Sequence, residues 1–201
     1  MTVCDLRDRF LQASRSFEVV AASSYPARIE AAIELLTRAF QSGHKLLVFG
    51  NGGSAADAEH ICGELVGRFV IERPGLPAIC LSSNSAVLTA WANDYSYEDV
   101  FARQIQALGT SDDVAWGIST SGNSKNVVAG LQAARSAGLH TIGMTGASGG
   151  CLAAVSDVLL DAPAKSTPRI QEIHLVTYHA ICEAVERASI QSAASLNEIA
   201  R

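Results

Sequence analysis

Charged residues are scarce in this sequence, and their scarcity excludes several classes of protein. Only 17% of the 201 residues are charged, and the 20 acidic residues outnumber the 15 lysines and arginines to give a net charge of −5. No run of basic residues forms a stripe for nucleic acid. No apolar stretch approaches the ~20 residues that cross a membrane, and Asp5 and Arg7 interrupt any signal-peptide core. We therefore expect a cytoplasmic protein without a nucleic-acid or membrane partner.

Cysteines are also few, and their positions suggest no pairing. The five are scattered along the chain without a C-x-x-C pair, at Cys4, Cys62, Cys80, Cys151 and Cys182. An odd number without a spacing pattern predicts reduced thiols rather than a disulfide framework. This agrees with a cytoplasmic location.

Apolar residues, in contrast, are abundant. They make up 48% of the chain, and the mean hydropathy is +0.19. This composition excludes intrinsic disorder, and a chain of this length hides roughly 70% of its unfolded surface in one core. We expect a single domain over residues 1–201. Because a typical domain has about 25% charged residues, the low charge also predicts further burial between subunits.

The hydrophobic patterns predict an α/β fold. Helical spacing predicts two N-terminal helices, about 4–22 and 26–42, before an α/β core over about 45–190. The core alternates short apolar runs, typical of strands buried on both faces, with helical stretches, so we predict a three-layer sandwich with a five-stranded parallel sheet. A polar tail after about residue 192 is expected to fray. The predicted strands are 45–49, 77–81, 114–118, 141–144 and 158–160, and the predicted helices are 54–67, 85–108, 123–137 and 168–189.

The first loop with chemical interest joins the first strand to a helix and runs Gly50-Asn51-Gly52-Gly53-Ser54. Glycines let backbone amides approach a ligand, and the helix N-terminus favours an anion. The loop is not a dinucleotide fingerprint, because the third glycine is missing, and no G-K-[ST] follows as in a P-loop. A tight turn with Ser54 as N-cap is an equally good interpretation of this loop alone.

Two further loops follow later strands. Ser119, Thr120, Ser121 and Ser124 place four hydroxyls at the start of a helix, more than the single hydroxyl that capping needs. They favour phosphate binding through hydroxyls and backbone amides. The loop 145–150 is glycine-rich and is either a turn or a third part of the site. Ligands of parallel sheets bind at the carboxyl ends of strands, so these loops predict a crevice for a phosphorylated small molecule.

The candidate acids, bases and ligands lie on helices. His60 and Glu64 are four residues apart and share a helix face, where they form either a metal or general-base site or a surface hydrogen-bonded pair. The last helix carries Gln171, His174 and His179, and the eight residues from Gln171 to His179 span ~12 Å. One metal does not easily take both from one regular helix, so leaning side chains, an irregular helix and neighbouring subunits all stay open. Asn93 and Asp94 end a helical stretch, as cap residues or as sugar contacts.

In order along the chain, these segments resemble the phosphoheptose isomerase family of SIS-domain proteins. No long insertion is needed, and the motifs are individually weak but specific as a set. The matching segments are 50–60, 64–69, 88–90, 93–95, 118–124, Thr145-Gly146, Gly149-Gly150, 169–174 and His179.

The resemblance implies a flavodoxin-like SIS fold and a homotetramer with active sites at subunit interfaces. It implies conversion of sedoheptulose 7-phosphate to D-glycero-D-manno-heptose 7-phosphate, the first step of activated heptose biosynthesis for lipopolysaccharide. One zinc ion per active site is expected at the matching positions His60, Glu64, Gln171 and His179. The substrate phosphate is expected on Ser119, Thr120, Ser121 and Ser124, and the other substrate contacts on Asn51, Gly52, Gly53, Ser54, Glu64, Asn93, Asp94 and Gln171.

Aldose–ketose exchange moves a proton between C1 and C2 through an enediol and needs a base and an acid. The hypothesis assigns Glu64 as the base and His179 as the acid. Two alternatives remain. Close SIS relatives are non-enzymatic partners of the replication initiator, and this chain resembles them around 72–79 and Arg103-Gln104, although such a module does not need Glu64 and His179. Other SIS enzymes acting on shorter sugar phosphates or lactyl ethers are the second alternative.

Overall fold

The computed structural model describes the backbone of residues 3–199 and the side chains of residues 5–191. It contains one five-stranded sheet in which every neighbouring pair is parallel, in the order β2-β1-β3-β4-β5. This confirms the predicted sheet, and the strand order is that of flavodoxin-like folds. The strands are β1 (Leu46–Gly50), β2 (Ala78–Cys80), β3 (Val114–Ile118), β4 (His140–Gly146) and β5 (Val158–Ala162).

Helices cover both faces of the sheet and complete the predicted three layers. One part of the core lies between the sheet and the helices 25–41, 53–66 and 167–199, and the other between the sheet and the helices 100–108 and 125–136. None of the helices within the described residues is long and apolar enough to cross a bilayer. The helices are α1 (Val3–Ala21), α2 (Tyr25–Gln41), α3 (Gly53–Val66), α4 (Ser85–Asp94), α5 (Val100–Leu108), α6 (Lys125–Ser136) and α7 (Thr167–Ile199), with 3₁₀ turns at Tyr97–Asp99 and Gly150–Val155.

The position of each strand in the sheet explains its composition. All residues of β1 and β3 are buried because both strands have neighbours on each side and helices on each face. This is why both are continuous apolar runs. β2 is an edge strand, and its Ile79 is 38% exposed. Its three residues make it shorter than the predicted strand 77–81.

Two helix predictions differ from the structure. The predicted helix 85–108 is two helices, because Ser96 is extended and its hydroxyl accepts a hydrogen bond from the Glu98 amide, which starts a new turn. The last helix continues to Ile199 rather than ending near residue 189, since neither glycine nor proline interrupts residues 190–199. Residues 192–199 are thus helical in backbone, and fraying of this tail stays a prediction.

A buried carboxylate on α7 fixes the segment that follows α3. Glu186 is fully buried and accepts hydrogen bonds from the amides of Phe69, Val70 and Ile71 at 2.8–3.0 Å. The guanidinium of Arg73, itself buried, lies 3.3 Å from the same carboxylate and donates to the Glu64 carbonyl. These backbone amides hold the pKa of Glu186 below its ordinary value against the opposing effect of burial. The end of α3 is therefore tied to α7.

Candidate functional site

The three predicted loops all lie at the carboxyl edge of the sheet. The first follows β1, the second follows β3 and the third follows β4. In this strand order the chain reverses direction across the sheet between β1 and β3, and open parallel sheets bind ligands at such a switch point. The loops after β1 and β3 flank that point.

The first loop turns into α3 through glycines. Gly52 adopts a positive φ of 57° and is the N-cap of α3, so the interpretation of Ser54 as the cap is wrong. Ser54 is buried one position inside the helix. The Ser82 hydroxyl bridges the amide and carbonyl of Gly50 and holds the end of β1. Gly52 and Gly53 are exposed, so backbone of this loop faces solvent at the start of a helix.

Asn51 joins the first loop to the helix that follows the second. Its amide nitrogen donates to Asn126 at 2.8 Å, and the Asn126 amide donates back at 2.9 Å. The Tyr97 hydroxyl also donates to the Asn51 oxygen at 2.8 Å. Because Asn126 is buried in α6, this amide pair ties the first loop to the helix that follows the second.

The hydroxyls of the second loop bind one another. Ser119 Oγ lies 2.9 Å from Ser124 Oγ and 3.4 Å from Ser121 Oγ. Ser124 is the N-cap of α6, yet its side chain makes no capping hydrogen bond. Thr120 is half-buried between Ser119 and Ser121. The structure thus brings together the three serines of the predicted phosphate loop at the N-terminus of a helix.

The third loop packs on the second. The Gly146 amide donates to the Thr120 carbonyl at 3.1 Å, and the Leu152 amide donates to the Gly122 carbonyl at 3.0 Å. Gly122 has a φ of 69°, and a Cβ there would collide with the backbone of Gly149. The third loop is therefore a support for the hydroxyl loop, which answers the question that the sequence left open.

A second group of polar residues lies where α3 packs on α7. His60, Glu64 and His179 each offer a ligand atom, and these atoms lie within 4.8 Å of one another. His60 Nε2 is 2.9 Å from Glu64 Oε1 and 3.5 Å from His179 Nε2. The Phe69 ring packs on His179 with a centroid distance of 5.3 Å. Burial and the neighbouring His60 lower the pKa of His179, opposed by Glu64.

Two imidazoles and one carboxylate fit the donor set of a three-ligand catalytic zinc site. Such sites leave a further position for water or substrate. Because α7 adds His179, His60 and Glu64 belong to a cluster and are not a simple surface pair.

Gln171 lies elsewhere on the same helix. Its side-chain amide occupies the space where a Cβ on Gly53 would stand, so Gly53 must be a glycine for this contact. His179 follows eight residues later on the unbroken helix α7, which is about two turns away. The structure therefore places Gln171 at the first loop, and its role as a further ligand stays a prediction.

The remaining predicted residues lie at the surface. Asn93 and Asp94 are exposed at the end of α4, and the Asn93 amide donates to Asp94 at 2.9 Å. Their role as sugar contacts stays a prediction. His174, in contrast, is fully buried and binds the Thr145 carbonyl at 3.1 Å, so it supports the base of the third loop.

The sequence analysis missed four residues that the structure places around the site. Tyr97 and Asn126 bind Asn51, and Asp57 and Tyr178 lie behind His60. None of the four had a usable signal in the sequence. They become recognisable only after the helices are packed.

Comparisons with known proteins agree with this fold. A family model described as the SIS domain matches residues 10–146 and places the chain in the SIS-domain class. The phosphoheptose isomerase of Synechocystis sp. is 54% identical over 163 residues, which cover 81% of this chain and 84% of the relative.

Solved structures give the same result. The phosphoheptose isomerase of Neisseria gonorrhoeae is 38% identical with a TM-score of 0.86, over 91% of this chain and 97% of that chain. The enzyme of Francisella tularensis is 34% identical with a TM-score of 0.87, over 93% and 100%. The chain belongs to the phosphoheptose isomerase family. The family prediction is thus confirmed, and the initiator-binding alternative is not favoured.

Proposed function

We propose that this protein is an aldose–ketose isomerase that converts sedoheptulose 7-phosphate to D-glycero-D-manno-heptose 7-phosphate, the first step towards activated heptose for lipopolysaccharide. The observation that carries the proposal is the cluster that His60 and Glu64, on the helix that continues from the first loop, form with His179 of α7. The names of the relatives support the same activity.

The hydroxyl loop is the proposed phosphate site. Ser119, Ser121 and Ser124 form a hydroxyl group at the N-terminus of α6, where free backbone amides and the helix dipole favour an anion. No lysine or arginine lies within residues 119–124. We infer that the serines, with Thr120, bind the phosphate through hydroxyls and amides, and that their mutual hydrogen bonds are exchanged for bonds to phosphate oxygens.

The sugar is proposed to extend from the hydroxyl loop across the first loop. The exposed backbone of Gly52 and Gly53 offers amides there, and the Gln171 amide lies against Gly53. The Asn51 oxygen already accepts two hydrogen bonds, so we infer that Asn51 contributes mainly by holding the loop in place. Ser54 is buried and its amide donates to the Asn51 carbonyl at 3.0 Å, so its role as a substrate contact stays a prediction. Asn93 and Asp94 are the proposed outer contacts.

Glu64 and His179 are the proposed base and acid. A carboxylate oxygen of Glu64 takes the proton from one of the two carbons C1 and C2 and returns it to the other, while the ring nitrogen of His179 that is not bound to a metal exchanges the proton of the sugar oxygens. Burial lowers the pKa of His179, which favours the neutral ring, with one nitrogen able to donate and the other able to accept.

A zinc ion is proposed at the same cluster, one per active site, with His60, Glu64 and His179 as its ligands and Gln171 as a candidate fourth. When bound, it would polarise the substrate carbonyl as a Lewis acid. His60 has no other assigned part in the reaction, so its presence in the cluster is the observation that favours a metal over a purely organic acid–base pair.

We further infer a homotetramer with interfacial active sites in the cytoplasm. Helix α4 contains Val87, Leu88 and Trp91, yet none of its residues is buried. An apolar helix of this kind needs a cover, and Asn93 and Asp94 at its end would then lie at a subunit boundary. The described cysteines are all free thiols, as expected for a reducing compartment.

The test incubates the protein with sedoheptulose 7-phosphate and follows the aldose product by NMR. Glu64→Gln and His179→Ala should each reduce turnover at least ~100-fold. Matched controls are Glu59→Gln, an exposed carboxylate on the same helix, and His140→Ala at the opposite edge of the sheet. Absence of an aldose product from wild-type protein, or full turnover by either site variant, would contradict the proposal. Metal analysis of the purified protein tests the zinc site separately.

A further inference from the structure

A buried tyrosine hydroxyl lies directly behind the His60 ring. Tyr178 is 1% exposed, and its hydroxyl oxygen is 3.0 Å from His60 Nδ1. The opposite ring nitrogen, Nε2, is the one that faces Glu64 and His179. The two rings also meet edge to face with centroids 5.3 Å apart. His60 is thus held on its Nδ1 side by a residue from α7 while it presents Nε2 to the cluster.

The hydroxyl has a second partner that can only accept. Asp57, one turn before His60 on α3, has its Oδ1 3.5 Å from the Tyr178 hydroxyl, and its Oδ2 is buried without a hydrogen-bond partner within the described part of the chain. Burial raises the pKa of Asp57 to about 6 and also raises the pKa of Tyr178.

The donor and acceptor capacities of these groups restrict the arrangement. The phenol has one proton, and a carboxylate accepts only. In the structure Glu64 Oε1 lies 2.9 Å from His60 Nε2 and can only accept, so Nε2 carries the ring proton and Nδ1 accepts from the Tyr178 hydroxyl. A cation bound at Nε2 would displace that proton. With the ring proton then on Nδ1, the Tyr178 oxygen would accept from Nδ1–H and donate its own proton to Asp57, which leaves the Nε2 lone pair for the cation. A histidine ligand is commonly oriented in this way by a hydrogen bond to its other nitrogen.

We propose that Tyr178, supported by Asp57, is a positioning residue that holds the His60 ring and directs its Nε2 lone pair into the cluster with Glu64 and His179. The inference rests on the proposed function, since it assigns His60 to the binding of a divalent cation. Tyr178 itself does not touch the reacting atoms.

The test compares wild type with Tyr178→Phe, which keeps the buried ring and removes only the hydroxyl. Tyr25→Phe is the matched control. Tyr25 is as buried as Tyr178 and also packs on α7, and the substitution likewise removes a hydroxyl contact, the one with Thr177 at 3.3 Å. Competition with a chromophoric chelator measures the dissociation constant for Zn²⁺. We expect Tyr178→Phe to weaken Zn²⁺ binding ~10-fold or more and Tyr25→Phe to leave it unchanged.

A second readout does not need the metal. In metal-free protein labelled with ¹⁵N, the Nδ1 resonance of His60 should shift in Tyr178→Phe, whereas the ring signals of the buried His174 should stay in place. Asp57→Asn is a further variant that keeps the tyrosine, and we expect a smaller loss of Zn²⁺ affinity because the amide still offers an oxygen.

The outcomes separate the two proposals. Equal Zn²⁺ affinity in wild type and Tyr178→Phe, or unchanged His60 signals in metal-free protein, would overturn the positioning role and leave the proposed function standing. A wild-type protein that binds no Zn²⁺ would contradict the metal site of the proposed function, and the His60 resonances would then decide the positioning role on their own.

Discussion

Acid should destabilise this protein through His174. The side chain is fully buried, and its Nε2–H donates to the Thr145 carbonyl at 3.1 Å. Its Nδ1 has no hydrogen-bond partner within the described residues. Burial lowers the pKa of His174 from 6.5 to about 4, partly offset by the hydrogen bond to Thr145. The ring is therefore neutral in the folded protein and gains its proton far more readily when the chain unfolds.

The sign and size of the effect follow from linkage. Because the folded state binds the proton more weakly, this group reduces stability as the pH falls from about 6.5 towards about 4. The full difference between the two pKa values is equivalent to about 3 kcal/mol, since each pKa unit is about 1.4 kcal/mol. At pH 5 the folded ring is still mostly neutral, and the loss relative to pH 7 is about 2 kcal/mol.

The assay is urea unfolding of wild type and His174→Gln at pH 7 and pH 5, at one protein concentration because subunit association affects stability. The glutamine amide can donate to the Thr145 carbonyl but does not titrate. From pH 7 to pH 5, the free energy of unfolding of wild type should fall by about 2 kcal/mol more than that of the variant. His140→Gln, at an exposed histidine, should behave like wild type. Equal losses in wild type and His174→Gln would refute the assignment.

Three further variants test other parts of the structure. Glu186→Gln should lower the free energy of unfolding by about 3 kcal/mol in urea titrations, because it breaks a buried ion pair; an unchanged midpoint would contradict this. Gly53→Ala should displace the Gln171 amide and reduce turnover with little change in Tm, whereas Gly63→Ala, with open space around it, should keep turnover. Ser124→Ala should raise KM about 10-fold and weaken inhibition by inorganic phosphate in parallel, and an unchanged KM would exclude its hydroxyl from the phosphate site.

The fold was largely predictable from sequence because its strands are continuous apolar runs between glycine-rich loops. Residues 114–118 form β3 with the predicted bounds, since both faces of that strand are buried. The break between α4 and α5 was not predictable from periodicity. It depends on the extended backbone and side-chain cap of Ser96, and the apolar pattern continues across it.

The candidate site was predictable where spacing along one element is enough. His60 and Glu64 are four residues apart, and helix geometry alone puts them on one face. His179 joins them only because α7 packs beside α3. The sequence of either helix alone does not reveal this packing. Tyr178 and Asp57 lacked a usable pattern for the same reason. A tyrosine next to His179 resembles any core residue until its hydroxyl is seen at His60 Nδ1.

The packing of α7 on α3 explains how one helix organises the whole site. Gln171 lies against Gly53 at the start of α3, and His179 lies against His60 seven residues further on, so the two helices run in the same direction. Two helical turns after His179, Glu186 holds the segment that follows α3. Contacts at three levels of one rigid helix set the first loop, the acid–base cluster and the end of α3 together. A site on rigid elements keeps its geometry more precisely than one on loops, so a shift of α7 along its axis would disturb all three levels at once.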